Sequence, residues 1–269
     1  MNISILIATA NRPDQLAITL GGLARCRLPD VDIEVVVADN GDDETTERTC
    51  READALLNVR YLAVPERGKT IALNRAVQVA NGELFVFTDD DVEFDPTWLI
   101  ELWRAARDET AHVLFGGRVT PVWPDGCPRR LQGSAFIGPL YTLVDRGDEP
   151  GPRAGFRPFG PNMAIRRSVF DRGLRFDPDL GPGSASGVTM GDETDIARQL
   201  EAMGETAVYV PTSEVYHCVR PDQLSLHWQL ARGVRYGRLL THLNDRPAGA
   251  DHPKTLPSRP RSAPHPPTQ

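Results

Sequence analysis

The chain has 269 residues, 40% hydrophobic and 25% charged, with a formal net charge of −7. This is the composition of a soluble globular protein with room for one large domain or two small ones. The negative balance argues against a broad nucleic-acid-binding surface. No apolar run approaches the roughly 18 residues a membrane span requires. The N-terminus enters a strand at once, with no basic stretch or cleavage site, so no signal peptide and a cytoplasmic location are expected. Cys26, Cys50, Cys127 and Cys218 form no Cys-x-x-Cys pair, which fits a reducing compartment and argues against a disulfide framework or a zinc cage.

Strand and helix alternate over the first ninety or so residues. Ile3–Thr9 is an apolar run, a strand. Pro13 sits where a first helical turn starts, and Leu16, Leu20 and Leu23 follow at helical spacing. Ile33–Ala38 is a second strand ending in the turn signal Asp39-Asn40-Gly41. A polar helix over about 45–56 precedes a third strand, 59–64. Residues 69–80 form a helix closed by Asn81-Gly82. Such alternation implies a parallel, doubly wound sheet with a ligand crevice at the strands' C-terminal ends.

The next strand, Leu84-Phe85-Val86-Phe87, ends in three consecutive carboxylates, Asp89, Asp90 and Asp91. Adjacent acids repel one another and do not pack in a core unless something positive sits among them. Oxygen ligands point to a hard divalent cation, Mg²⁺ or Mn²⁺, with open positions for phosphate oxygens. Two other phosphate motifs fail. Arg67-Gly68-Lys69-Thr70 imitates the end of a Walker A loop, but Ala63 stands where its first glycine is needed. No Gly-x-Gly-x-x-Gly follows the first strand.

Beyond Asp91, residues 96–108 read as a helix and 113–120 as a strand. Residues 121–161 are rich in Pro and Gly, the signature of a functional wall or lid. A short strand spans 160–167. Asp192, Glu193 and Asp195 then open a helix with Ile196, Leu200 and Met203 as its buried stripe. Acids in a first turn suit the macrodipole, yet three in four residues exceed that need. His217 ends an apolar stretch; a lone histidine there is more often a core residue than a ligand. Residues 224–243 are basic and amphipathic, with Leu226, Leu230 and Val234 repeating at four and Arg232, Arg235 and Arg238 at three. This reads first as a surface helix packed on the domain, and alternatively as a contact for anionic lipid or an acceptor phosphate. Residues 246–269, with seven prolines, are expected to be a disordered tail.

Taken together, Ile3–Arg12, Asp39-Asn40-Gly41, Arg67–Asn74, Asp89–Asp91, Asn162–Arg167 and Gly191–Asp195 occur in an order and spacing that resemble the family 2 inverting glycosyltransferases. The resemblance covers about residues 2–218. It implies a GT-A fold, a Rossmann-like and mostly parallel sheet flanked by helices. The implied organisation is one domain over 1–245, with a nucleotide-sugar half (1–93), an acceptor half (94–220) and a C-terminal helical segment (221–245). Thr9, Asn11, Arg12 and Asp39 would then hold base and ribose, with Arg67, Lys69, Asp89 and Asp90 completing the nucleotide-sugar site. The aspartate triplet matches the family's DXD motif, so Asp91, with Asp89 and His217, would ligate the divalent cation on the diphosphate. The family's base lies in a Glu-Asp pair opening a late helix; here the order is Asp192-Glu193, so either acid could serve. Asn162, Arg166 and Arg167 would shape the acceptor side. The implied partners are a nucleoside-diphosphate sugar, with a leaning to uridine or another pyrimidine, and an acceptor hydroxyl. No nucleic acid is implied, and the basic helix would allow peripheral contact with the inner face of the membrane. Two rival readings are a sugar nucleotidyltransferase, which would open with a glycine-rich loop that this chain lacks, and an inactive nucleotide-sugar-binding module, favoured only by the reversed acid pair.

Overall fold

In the computed structural model, residues 1–132 and 137–245 are described, and the expected Pro-rich tail, 246–269, lies outside them. The first strand, β1 (Ile3–Thr9), is buried along nearly its whole length, so it takes apolar residues on both faces. It pairs in parallel with β2 (Ile33–Asp39) on one side and β4 (Leu84–Thr88) on the other, and β2 pairs in parallel with β3 (Val59–Ala63). The crossovers are α1 (Pro13–Leu23), α2 (Thr45–Leu57) and α3 (Lys69–Val79). Pro13 begins α1 with a preset φ, and Asn58 closes α2 in the left-handed conformation that asparagine tolerates.

The second half changes strand direction. After β5 (Val92–Phe94) and α4 (Trp98–Asp108) come β6 (Leu114–Val122), α5 (Ile137–Tyr141), β7 (Gly151–Pro152), β8 (Met163–Arg166), α6 (Arg167–Asp171), α7 (Asp192–Ala202), β9 (Val208–Cys218) and α8 (Leu226–Asp245). The sheet order is β3-β2-β1-β4-β8-β6-β9-β5, with β7 on β9. Strand β8 runs antiparallel to both β4 and β6. The apolar stretch ended by His217 is part of one long strand, β9, parallel to β6 with a register shift after Gly117. No described helix is long and apolar enough to cross a membrane.

Two expected buried faces are corrected. Met203 is exposed, lying past the end of α7, while Ile196, Ala197 and Leu200 pack inward. On α8 the leucine stripe points the other way from the packed-helix reading: Leu226, Leu230, Val234 and Leu240 are exposed, and Leu239 and Leu243 are buried. What α8 covers is a polar cavity, so its inner face carries arginines and its apolar repeat is left outside.

Candidate functional site

The C-terminal ends of β1 and β4 and the start of α7 open onto one cavity of about 640 Å³. It is lined by Thr9, Asn11 and Arg12, by Arg67 and Lys69, by Asp89, Asp90 and Asp91, by Asp192 and Glu193, by His217, and by the inner face of α8. Thr9 and His217, 208 residues apart in the chain, thus meet where the parallel half of the sheet ends, as expected for such topologies.

The three aspartates have three different surroundings. Asp90 is fully buried and accepts hydrogen bonds from Thr9 Oγ1 at 2.6 Å and from Arg12. Burial pushes its carboxyl up to about 6 despite Arg12. Asp90 therefore anchors the rim through Thr9 and Arg12. Asp91 is partly exposed and pairs with Arg12 at 2.9 Å. Asp89 is tied to Lys69 at 2.8 Å. Burial works against its charge, and Lys69 outweighs that to hold its carboxyl below the ordinary value.

Lys69 is the hub. Its Nζ reaches Asp89 at 2.8 Å, Glu193 at 3.1 Å and Asp192 at 3.7 Å. Desolvation opposes its charge, but the three carboxylates keep it firmly protonated. The lysine of the imitation Walker A sequence thus joins the aspartate rim to the α7 acids. Asp192 is buried, with Oδ2 lacking a hydrogen-bond partner. Burial and the adjacent Glu193 push its carboxyl above the ordinary range, against the pull of Lys69. Glu193 carries the ion pair with Lys69 and packs against Gly160, where an added Cβ would lie 2.2 Å from its Oε1.

His217 faces Val92 across the β9–β5 ladder, next to Asp91 in the chain, and lines the cavity with a buried Nδ1 that has no partner. An orphaned imidazole nitrogen lining the same cavity as a partly exposed carboxylate fits a divalent cation held by Asp91 and His217, with its other positions open to phosphate oxygens. Asp89, expected as a third ligand, is committed to Lys69. No cluster of three or more His, Cys, Asp or Glu suited to a metal occurs among the described residues.

Several expected positions lie elsewhere. Asp39 is buried behind its turn, accepting from the Gly41 N–H at 2.9 Å and from Tyr61 at 3.2 Å, and does not line the cavity. Asn11 does line it, but its Oδ1 accepts from the Asp42 N–H at 2.7 Å, in a left-handed backbone conformation that locks the β1 turn to the β2 turn. Asn162 is fully buried: Trp98 Nε1 donates to it, and its Nδ2 donates to the carbonyls of Arg118 and Ser213, each at 2.9 Å. It pins the floor of the site and is not an acceptor contact. Arg166 and Arg167 are at the wrong end of the sheet. Because β8 is antiparallel to β4, Arg166 stands opposite Leu84, at the start of β4. Its guanidinium caps the carbonyls of Ala106, Glu109 and His112. Arg167 reaches Asp171 and the Asn81 carbonyl. Sequence reasoning missed Tyr141, Trp228 and Tyr236 as cavity residues, and it offered Arg232 and Arg235, which also line the cavity, only the alternative role of a contact for anionic lipid or an acceptor phosphate.

A parallel half-sheet, an aspartate-rich strand end and an acid-opened helix converge on one cavity, the layout of the GT-A fold. The same architecture is found in the solved structures this chain resembles. Residues 4–174 match the family described as glycosyl transferase family 2, and the chain belongs to that family. The mannosyltransferase PcManGT from Pyrobaculum calidifontis, in complex with GDP-Man and Mn²⁺, superposes with a TM-score of 0.61 at 20% identity, covering 89% of this chain and 64% of that one. S. aureus TarS 1-349 in complex with UDP gives 0.60 at 18% identity, covering 83% and 62%. Among curated relatives, chondroitin synthase of Escherichia coli is 35% identical over 119 residues, 43% of this chain and 17% of that protein. Glycosyltransferase AglD of Haloferax volcanii is 31% identical over 159 residues, 57% and 25%. The chain therefore spans only a minor part of these relatives' length.

Proposed function

We propose that the protein is an inverting, divalent-cation-dependent transferase that moves a sugar from a nucleoside-diphosphate sugar to an acceptor hydroxyl. The observation that carries this reading is the meeting of Asp91, His217, Lys69 and the Asp192–Glu193 pair on one cavity. The donor class is supported by the nucleotide or nucleotide sugar in the resembling structures, UDP in one and GDP-Man with Mn²⁺ in another.

Asp91 and His217 would hold the cation, which supplies Lewis-acid neutralisation of the departing diphosphate. Thr9, Arg12 and Arg67 stand on the rim where the nucleotide would lie. Glu193 is the general base: its carboxylate is hydrogen-bonded to and oriented by Lys69 at 3.1 Å, whereas Asp192 is buried with Oδ2 lacking a hydrogen-bond partner. The acceptor oxygen attacks the anomeric carbon and gives its proton to Glu193. The carbon–oxygen bond to the diphosphate breaks with its electron pair leaving on the diphosphate, so a single displacement inverts the anomeric centre.

The exposed stripe Leu226, Leu230, Val234 and Leu240 would make any peripheral membrane contact, through its leucines and not through the cavity-facing arginines. Flotation with anionic vesicles, lost in Leu230→Glu, checks that part. The test of the whole is a thermal-shift screen of nucleotide sugars with and without Mn²⁺, since a ligand of the folded state raises Tm. A Mn²⁺-dependent shift by one nucleotide sugar, and release of nucleoside diphosphate on turnover, are expected. Release of pyrophosphate would instead identify a nucleotidyltransferase.

A further inference from the structure

The cations of the cavity are not equally provided for. Arg12 has Asp90 and Asp91, Lys69 has Asp89, Asp192 and Glu193, Arg67 has Asp42, and Arg220 has Asp222. Arg232 and Arg235 also line the cavity, and neither forms an ion pair among the described residues. The Nε of each is buried without a hydrogen-bond partner. Both guanidiniums lie by the Trp228 ring, at 5.9 and 6.0 Å from its centroid, and that ring stacks on Tyr141 at 5.3 Å. Like charges three residues apart on one helix face repel. Burial and Arg235 both work against the charge on Arg232. A guanidinium pair kept in such a place suits an anion bound between them.

The position of the pair says which reactant brings that anion. Helix α8 is seated on the acids of α7: Leu239 packs on Gly191, the residue before Asp192, so closely that an added Cβ would lie 2.1 Å from its Cδ1. Arg235 and Arg232 follow on the same face, about one and two turns back. The carboxylates that act on Arg232 are Glu193, Asp192 and Asp89, at the base end of the cavity, and not Asp91 at the proposed cation end. A molecule whose hydroxyl meets Glu193 therefore has its neighbouring groups beside the arginines.

We propose that Arg232 and Arg235 form the anion-binding half of the acceptor site, so that the acceptor is a phosphate-bearing alcohol. This rests on the transferase reading above, with Glu193 as base. The arginines are specificity-determining residues: they select and orient the acceptor, and the base and cation ligands act on the reacting atoms.

The test is calorimetric titration of methyl phosphate into protein saturated with nucleoside diphosphate and Mg²⁺, at constant ionic strength. Wild type, Arg232→Gln/Arg235→Gln, Arg232→Lys/Arg235→Lys and Arg238→Gln are compared. Wild type and Arg238→Gln, whose side chain is outside the cavity, are expected to bind methyl phosphate. The glutamine pair should weaken it by about tenfold or more, since a hydrogen bond to a charged group is worth that much, while nucleoside diphosphate affinity stays within about twofold. The lysine pair should recover part of the loss, which a purely structural role would not give. Methyl phosphate binding that is absent from wild type, or equal in the glutamine pair, overturns the proposal. So does a loss confined to nucleoside diphosphate affinity, which would assign the arginines to the donor. The titration repeated without nucleotide separates the two readings. Failure of wild type to bind any nucleotide refutes the transferase assignment, and the arginine site is still decided by methyl phosphate.

Discussion

Replacing Lys69 with methionine would remove the cation that ion-pairs with Asp89, Asp192 and Glu193 and keep its aliphatic bulk. The ammonium lies 2.8, 3.7 and 3.1 Å from these carboxylates and its side chain is only 18% exposed. Removing one partner of a buried ion pair costs about 3–5 kcal/mol, because the remaining charge is left unsatisfied. For a domain of this size that lowers Tm by about 10 °C. The loss depends on pH, and its sign follows from Asp89. Lys69 holds the Asp89 carboxyl below its ordinary value, so its stabilisation is present above the unfolded value and lost as pH falls through the folded one. In Lys69→Met the stranded acids are relieved by protonation, so the gap in Tm between wild type and variant should narrow from pH 7 to pH 4. Scanning calorimetry across that range checks it. A gap that is under about 2 °C at pH 7, or that widens toward pH 4, would refute the hub assignment.

The other expectations concern chemistry and docking. Asp91→Ala should abolish Mg²⁺- or Mn²⁺-stimulated transfer, measured as nucleoside diphosphate release; full activity without a divalent cation contradicts the cation site. Glu193→Gln should lower kcat by about 10²–10⁴-fold with donor affinity unchanged. Asp192→Asn, at a buried acid with no hydrogen bond to Lys69, should cost far less in kcat, and the opposite ranking would make Asp192 the base. Gly191→Ala combines a φ of +94° with the contact on Leu239, so it should destabilise by about 1–3 kcal/mol and lower Tm; an unchanged Tm would mean that α8 is not held there.

Strands β1, β2 and β4 were legible because each is an apolar run, and the Asp89–Asp91 rim followed from charge repulsion alone. The joining of Lys69 to Glu193 was not legible, since nothing local records a contact across 124 residues. Arg166 and Arg167 were misplaced for a different reason: spacing does not reveal strand direction, and the reversal at β8 sends them away from the cavity. Strand β5 was missed because three residues directly after three acids carry no periodicity. The leucine repeat of α8 misled because burial usually selects apolar residues, whereas this helix covers a polar cavity with its arginine face.

The match to the family covers residues 4–174, and the acids of α7, His217 and the whole inner wall of α8 come later in the chain. The two sides of the cavity are thus written in separate lengths of sequence, and substitutions on α8 can reshape one side without touching an atom of the β1 or β4 rim. Lys69 is the exception, belonging to the first length and reaching into the second. A graft of a foreign C-terminal segment onto this half-sheet would have to supply acids placed to receive that ammonium before it could change what the cavity accepts.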